Sequence, residues 1–337
     1  MTIPDLLALP KAELHLHIEG TLEPEMVFAL AERNGISLPF DSVDELRERL
    51  EFTDLQSFLD LYFACSIVLR TRADFADLAR AYLARAHAQG VRHVEMFFDP
   101  QAHTSRGVAV DTVIDGLRDA LAEANLEWGI TGGLILCFLR DLPVEKALET
   151  LESVAHRAGD LIGVGLDSTE VGYPPELFER VYRRARELGL HAVAHAGEEG
   201  GPEYVWPALE VLGIERLDHG IRSLEDPALV EALRERQIPL TVCPLSTVRL
   251  RGVDTMAEHP LPRMLDAGLL VTVNSDDPSY FGGYIGDNYV AVQQAFDFDL
   301  STMVMLAGNS VTASFASDER KAELRGEIAA WSAAQGA

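Results

Sequence analysis

Two histidines one residue apart carry the strongest chemical signal in the chain: His15-Leu16-His17, within Ala12-Glu-Leu-His-Leu-His-Ile-Glu19. Leu14, Leu16 and Ile18 alternate with them, the period of a β-strand, in which residues i and i+2 face the same side. Both imidazoles then face one way and can share a metal ion. Alone, the pattern is also that of a strand bearing two half-exposed histidines. Three later segments favour the metal. Ala192-Val-Ala-His195 runs into Ala-Gly-Glu198-Glu199-Gly-Gly, Leu217-Asp218-His219-Gly220 closes another apolar run, and Leu269-Leu-Val-Thr-Val-Asn-Ser-Asp276-Asp277-Pro278 closes a third. A single strand-end histidine is usually a core or surface residue, and Asp-Asp-Pro is usually a turn. Their joint occurrence at strand ends is what those readings leave unexplained.

His15, His17, His195 and Asp276 make a borderline-hard donor set suited to zinc, with iron or manganese as weaker candidates. A catalytic zinc keeps a position for water and lowers its pKa to about 7. Glu198, three residues beyond a ligand, could give a proton to a substrate, and His219 could orient the water or take its proton. Two-metal barrels use a bridging modified lysine on the fourth strand. Here that strand ends Gly165-Leu-Asp-Ser-Thr-Glu170, so one metal is expected, with Glu170 the only bridging alternative.

These groups need a scaffold that gathers distant strand ends. Strands are expected at about 13–18, 91–98, 129–138, 161–167, 191–196, 214–219, 238–243 and 269–275, mostly apolar as buried parallel strands are. Helical patterns separate them at 110–126, 143–158, 175–188, 203–212 and 225–236. Thr53-Asp-Leu-Gln56 reads as a capping box ahead of Leu55, Phe58, Leu59 and Tyr62. Phe75, Leu78, Ala79, Tyr82, Leu83 and Ala86 form a helical stripe that Gly90 ends. Eight βα units predict an α/β fold, a (β/α)8 TIM barrel, with extra helices after strand 1 and at the C-terminus. A doubly wound sheet gives a similar alternation. Only the barrel brings the first and eighth strands together and puts every strand end on one face, where barrel sites lie. No linker or repeat divides residues 1–337, so one domain is expected.

The 337 residues carry 54 acidic and 28 basic side chains, a net charge of −26, with 47% hydrophobic residues. This describes a globular protein without the basic footprint of a nucleic-acid binder, and one that anionic membranes repel. Cys65, Cys137 and Cys243 form no disulfide framework, and Met1–Pro10 has no signal-peptide pattern, so a cytoplasmic protein is expected. No run of 18 or more apolar residues could span a membrane. The sequence does not reveal an oligomeric state.

The segments HLHIEG, HAGE, LDHG, CPLS and SDDP resemble those of the adenosine deaminase family, within the metal-dependent amidohydrolase barrels, over nearly the whole chain from Pro10 to Tyr284. Phe97-Phe-Asp-Pro-Gln-Ala-His-Thr104, Leu166-Asp-Ser-Thr-Glu-Val-Gly172 and His195-Ala-Gly-Glu-Glu-Gly-Gly-Pro-Glu-Tyr204 look like the adenine deaminase branch. The resemblance implies one zinc held by His15, His17, His195 and Asp276, with Glu198 as proton donor to purine N1 and His219 positioning and helping to deprotonate the water. It further implies Asp277 at purine N7, and Gly20 near the substrate through its backbone. The family usually has Asn where Thr247 follows Cys-Pro-Leu-Ser, which would alter the pocket floor.

The implied reaction is hydrolytic deamination of adenine to hypoxanthine and ammonia, a purine-salvage step on a small-molecule substrate. Protonating N1 makes C6 a better electrophile, and general acid catalysis of this kind contributes about 10²–10⁴-fold. The alternatives are an adenosine deaminase, a deaminase of N6-substituted adenines, and a non-catalytic metal-bound barrel. Glu170, directly or through Ser168 or a water, is expected to accept the N9 hydrogen of a free purine. Glu198 and His219 argue against a purely structural site, which needs neither acid nor base.

Overall fold

The computed structural model describes residues 5–335, so the first four residues of the Met1–Pro10 stretch read above lie outside the described residues. Eight parallel strands follow one another in chain order: β1 Lys11–His17, β2 Val91–Phe98, β3 Thr131–Leu139, β4 Gly163–Asp167, β5 His191–Ala196, β6 Arg216–His219, β7 Leu240–Val242 and β8 Val271–Val273. Closure decides between barrel and open sheet. Leu16 bridges Asp276 in parallel register, the Asp276 amide donates to the His15 carbonyl and the His17 amide to the Asp276 carbonyl, both at 3.0 Å. Below them the Leu14 amide donates to the Asn274 side chain at 2.9 Å. The ends of β1 and β8 are therefore stitched together at the point where the ionisable residues sit.

The alternation in β1 works as the period predicts. Leu14 packs outward with Ala12 and Ala313, and Leu16 joins the core between barrel and helices, while the rings of His15 and His17 lie inside against Phe97. Inside the barrel, Phe97, Ile135, Cys137 and Val193 form an apolar layer of their own. Glu95 lies on the same strand, two residues before Phe97, where it pairs with Arg216 and His93, all buried.

Helices Pro24–Asn34, Val43–Glu48 and Leu55–Ser66 occupy the insertion after β1, ahead of Arg72–Ala88, and Ile285–Phe296, Leu300–Ala313 and Asp318–Ala334 follow β8. The capping box of Leu55–Ser66 lies one residue later than expected. Asp54 is the N-cap, accepting from the Ser57 amide at 2.8 Å, while the Ser57 hydroxyl faces the Asp54 amide. An ionised carboxylate is the stronger acceptor there, and Thr53 is left outside the helix. The segment expected as one helix over 203–212 is α-helical only to Pro207 and continues as a π-turn to Leu212, since proline denies the ladder an N–H. The three cysteines are buried and free. No helix among the described residues is long and apolar enough to cross a membrane.

Candidate active site

At the C-terminal ends of the strands, three imidazoles and a carboxylate converge. His17 Nε2 lies 3.1 Å from His195 Nε2, and Asp276 Oδ1 lies 3.2 Å from His15 Nε2 and 3.5 Å from His17 Nε2. Metal–nitrogen bonds of about 2.0–2.1 Å put tetrahedral ligands about 3.3 Å apart, so these separations fit one ion. The outward ring nitrogens face oxygens. His15 Nδ1 lies 3.0 Å from Thr241 Oγ1 and 3.2 Å from its carbonyl, His17 Nδ1 lies 3.5 Å from Asp167, and His195 Nδ1 lies 3.7 Å from Asp218. The Thr241 oxygens keep the His15 proton on Nδ1 and turn its Nε2 lone pair inward, where buried Nε2 has no other hydrogen-bond partner, while His17 and His195 face their carboxylates at longer range. Burial and the neighbouring imidazoles hold His195 well below the usual histidine range, in the neutral form a metal needs. Burial alone would raise Asp276, but His15 and His219 hold it well below the usual carboxylate range.

His219 also approaches, and with His15, His195 and Asp276 it makes an alternative set of donors within 4.8 Å. Its Nε2 is 3.9 Å from the other oxygen of Asp276 and 3.7 Å from Glu198, so it sits between the cage and that carboxyl. His17 lies closer to Asp276, 3.5 Å from Oδ1 against 3.9 Å from Oδ2 for His219. Burial, then the charge His15 would carry, lowers His219 to about 3, leaving it a neutral base. Burial, then Asp276, Glu170 and Glu199, raises Glu198 well above the usual carboxyl range. Burial and Asp276 do the same to Asp277. His219, Asp276 and Ser168 all adopt left-handed backbone, with φ of 62°, 64° and 71°. Non-glycine residues rarely adopt that conformation, and three together at strand ends mark a site held in place by its surroundings.

Most of these groups line one cavity at the C-terminal end of the barrel. Leu55, Phe58, Leu59, Tyr62 and Phe63 of helix Leu55–Ser66 cover it, with Leu250 and Phe281. His17, His195, Glu198, His219, Asp276, Asp277 and Ser168 all face it.

One expected substrate contact is corrected. Glu170 is fully buried, and its carboxylate accepts the amides of Gly197 at 2.8 Å, Glu198 at 3.2 Å, Glu199 at 2.8 Å and Gly200 at 2.8 Å. It lies off the cavity, with no free oxygen to bridge a metal or meet N9, and instead anchors the loop that carries Glu198. Gly20 stands against Asp277 at the edge of the site. A Cβ there would collide with the Asp277 carboxylate, so this glycine makes room for Asp277. Thr247 is not on the pocket floor either: its hydroxyl donates to the Cys243 carbonyl at 3.1 Å, and Leu250 takes that stretch of wall.

Three functional candidates escaped the sequence reading. Arg140 donates to the His195 carbonyl at 2.7 Å and the Tyr173 carbonyl at 2.9 Å, holding the start of the Glu198 loop. Asp99 and Asp167 lie at the ends of β2 and β4, and both line the cavity. The strand-end rule that picked out His195 and Asp276 applies equally to them. Burial, then Glu19, raises Asp99, and burial, then Asp99, raises Asp167 well above its usual range.

A sequence model of the family described as adenosine deaminase matches residues 10–331. The chain belongs to the adenosine deaminase family. Among family members, it is 61% identical over 320 residues to an adenine deaminase of Streptomyces coelicolor, covering 95% of this chain and 94% of that one. The structure of an adenine deaminase from Arthrobacter aurescens superposes with a TM-score of 0.95 at 57% identity, covering 96% of this chain and 99% of the other. An amidohydrolase from Burkholderia ambifaria, solved with bound zinc, gives a TM-score of 0.90 at 28% identity over 98% of this chain and 92% of its own.

Proposed function

We infer that the chain is an adenine deaminase, which hydrolyses adenine to hypoxanthine and ammonia. The observation that carries this is the cavity itself: an acid, Glu198, and a neutral imidazole, His219, stand 3.7 Å apart beside a four-donor cage. A purely structural metal site needs neither. High identity to relatives named adenine deaminase supports the substrate. We read residues 1–337 as one deaminase domain working in the cytoplasm, consistent with three free buried cysteines.

In this reading His15, His17, His195 and Asp276 hold one zinc ion per chain, which supplies a water activated near neutral pH. The remaining steps belong to the protein. Glu198, kept protonated by its surroundings, gives its proton to N1 and makes C6 electrophilic. His219 orients the water and takes its proton as the oxygen bonds to C6. Asp277, in its acid form, donates a hydrogen bond to N7. The proton on His219 passes to the amino nitrogen, the C6–N6 bond breaks and ammonia leaves. Glu198 then recovers a proton from the C6 hydroxyl, leaving hypoxanthine with hydrogen on N1. Arg140 and Glu170 position the loop throughout.

The test is ammonia release from adenine, adenosine and N6-methyladenine in parallel. Adenine should have the highest kcat/KM by far. Adenosine as the best of the three would overturn the substrate assignment, and release from none of them would overturn the reaction.

A further inference from the structure

Beyond the groups assigned above, the cavity wall holds a second set of acidic side chains. Asp99 and Asp167 are each 3% exposed, and each brings a carboxyl oxygen into a cluster with His17 whose ligand atoms lie within 4.8 Å of one another. Tyr62 donates to Asp99 Oδ2 at 2.9 Å. Asp99 Oδ1 and both oxygens of Asp167 have no hydrogen-bond partner, and neither has the hydroxyl of neighbouring Ser168. The other groups facing the pair are already committed. Glu19 accepts from His103 at 2.7 Å and from the Asp99 amide at 3.2 Å, and Arg106 in turn donates to His103 at 2.7 Å. His17 turns Nδ1 toward Asp167 at 3.5 Å and Nε2 toward the cage, so the pair sits one imidazole ring away from the metal donors. Among the described residues, no lysine or arginine lines this part of the cavity.

Buried acceptors without donors are costly, and a ligand N–H offered at this point would relieve them. We propose that the Asp99–Asp167 carboxyl pair accepts the N9 hydrogen of a free purine and so selects the base over N9-substituted purines. This rests on the deaminase reading, which places C6 and N1 at the cage and Glu198, and N7 at Asp277. The remaining edge of the purine then meets Asp99, Asp167 and Ser168. An N9-substituted purine brings no hydrogen to the pair and pushes its substituent into Tyr62 and the lid helix. A site built around a buried hydrogen bond discriminates strongly against a ligand that lacks it.

The experiment is steady-state kinetics with adenine and 9-methyladenine on metal-loaded wild type, Asp99→Asn, Asp167→Asn and Tyr62→Phe, with metal content measured on the same samples. Wild type should prefer adenine by roughly 10²-fold or more. Each Asp→Asn change should lower kcat/KM for adenine about 10- to 100-fold, chiefly through KM, because this contact is equally present in ground and transition states. In Asp99→Asn the value for 9-methyladenine should stay within about 3-fold, so the preference collapses while metal content holds; Asp167 also faces His17 Nδ1, so Asp167→Asn is read from the ratio of the two substrates at full metal loading, which should collapse as well. Tyr62→Phe removes one donor to Asp99 and should move the ratio about 3- to 10-fold the same way, which keeps the test decisive if an Asn variant does not fold. Equal losses on both substrates, an unmoved ratio, or a second metal bound at His17, Asp99 and Asp167 would overturn the assignment. A wild type inert toward adenine would remove the deaminase reading and this inference with it. Adenine turnover with an unmoved ratio removes only the inference.

Discussion

Glu170→Gln separates a loop anchor from a substrate contact. In the wild type one oxygen of Glu170 accepts the Gly197 amide, and the other accepts those of Glu198, Glu199 and Gly200. Glutamine is nearly isosteric but offers one oxygen. In its better orientation that oxygen keeps three amides, each bond losing roughly 1 kcal/mol as a charged acceptor becomes neutral. The amide nitrogen then faces the Gly197 N–H, donor against donor, at about 1–3 kcal/mol. The lower desolvation cost of a neutral side chain offsets part of this. A net of about 3 kcal/mol, spread over four consecutive residues, is enough to open the loop locally without unfolding a barrel held elsewhere. Displacing a catalytic group by about 1 Å can cost about 10²-fold. Glu170→Gln should therefore lower kcat for adenine on the order of 10²-fold, leave the adenine to 9-methyladenine ratio unchanged, and accelerate hydrogen exchange at residues 197–200. Near-wild-type kcat with a lost preference for adenine would refute the anchoring argument and return Glu170 to the substrate.

Glu198→Gln should keep the metal and lower kcat about 10²-fold or more, since glutamine has no proton to give. Because burial raises the Glu198 pKa, its acid form persists above the usual carboxyl range, and wild-type activity should fall as pH rises through that raised pKa; a pH–rate profile of both proteins checks this. Asp276→Ala should lower metal content, whereas Asp277→Ala should spare the metal and weaken purine turnover; elemental analysis beside kinetics distinguishes them, and equal metal loss in both would show the pair misassigned. Glu95 titrates at about 2 because Arg216 and His93 outweigh the burial that would raise it. With the folded pKa depressed, its contribution of about 3 kcal/mol is present above pH 4.5 and lost as pH falls toward 2, so Glu95→Gln should flatten the acid limb of urea-denaturation midpoints against pH.

Much of the fold was legible because parallel strands buried on both faces must be apolar, and the alternation around His15 and His17 has a period that only a strand supplies. All eight strands lie close to where that reasoning puts them. The candidate donors stood out for a related reason: ionisable residues recurring at the same end of several apolar strands must come together once the barrel closes. What the sequence could not carry was direction. Glu170 and Asp167 stand three residues apart at the end of β4, equally acidic and equally near the site in the chain. One turns to the amides of residues 197–200 and the other to the cavity. Asp99 becomes part of the wall only because β2 and β4 end at the same level beneath a helix inserted after β1. Composition and period follow from local covalent geometry and are written along the chain. Which carboxylate is left without a donor depends on every hydrogen bond its neighbours have already made, and those neighbours come from segments that meet only when the barrel closes.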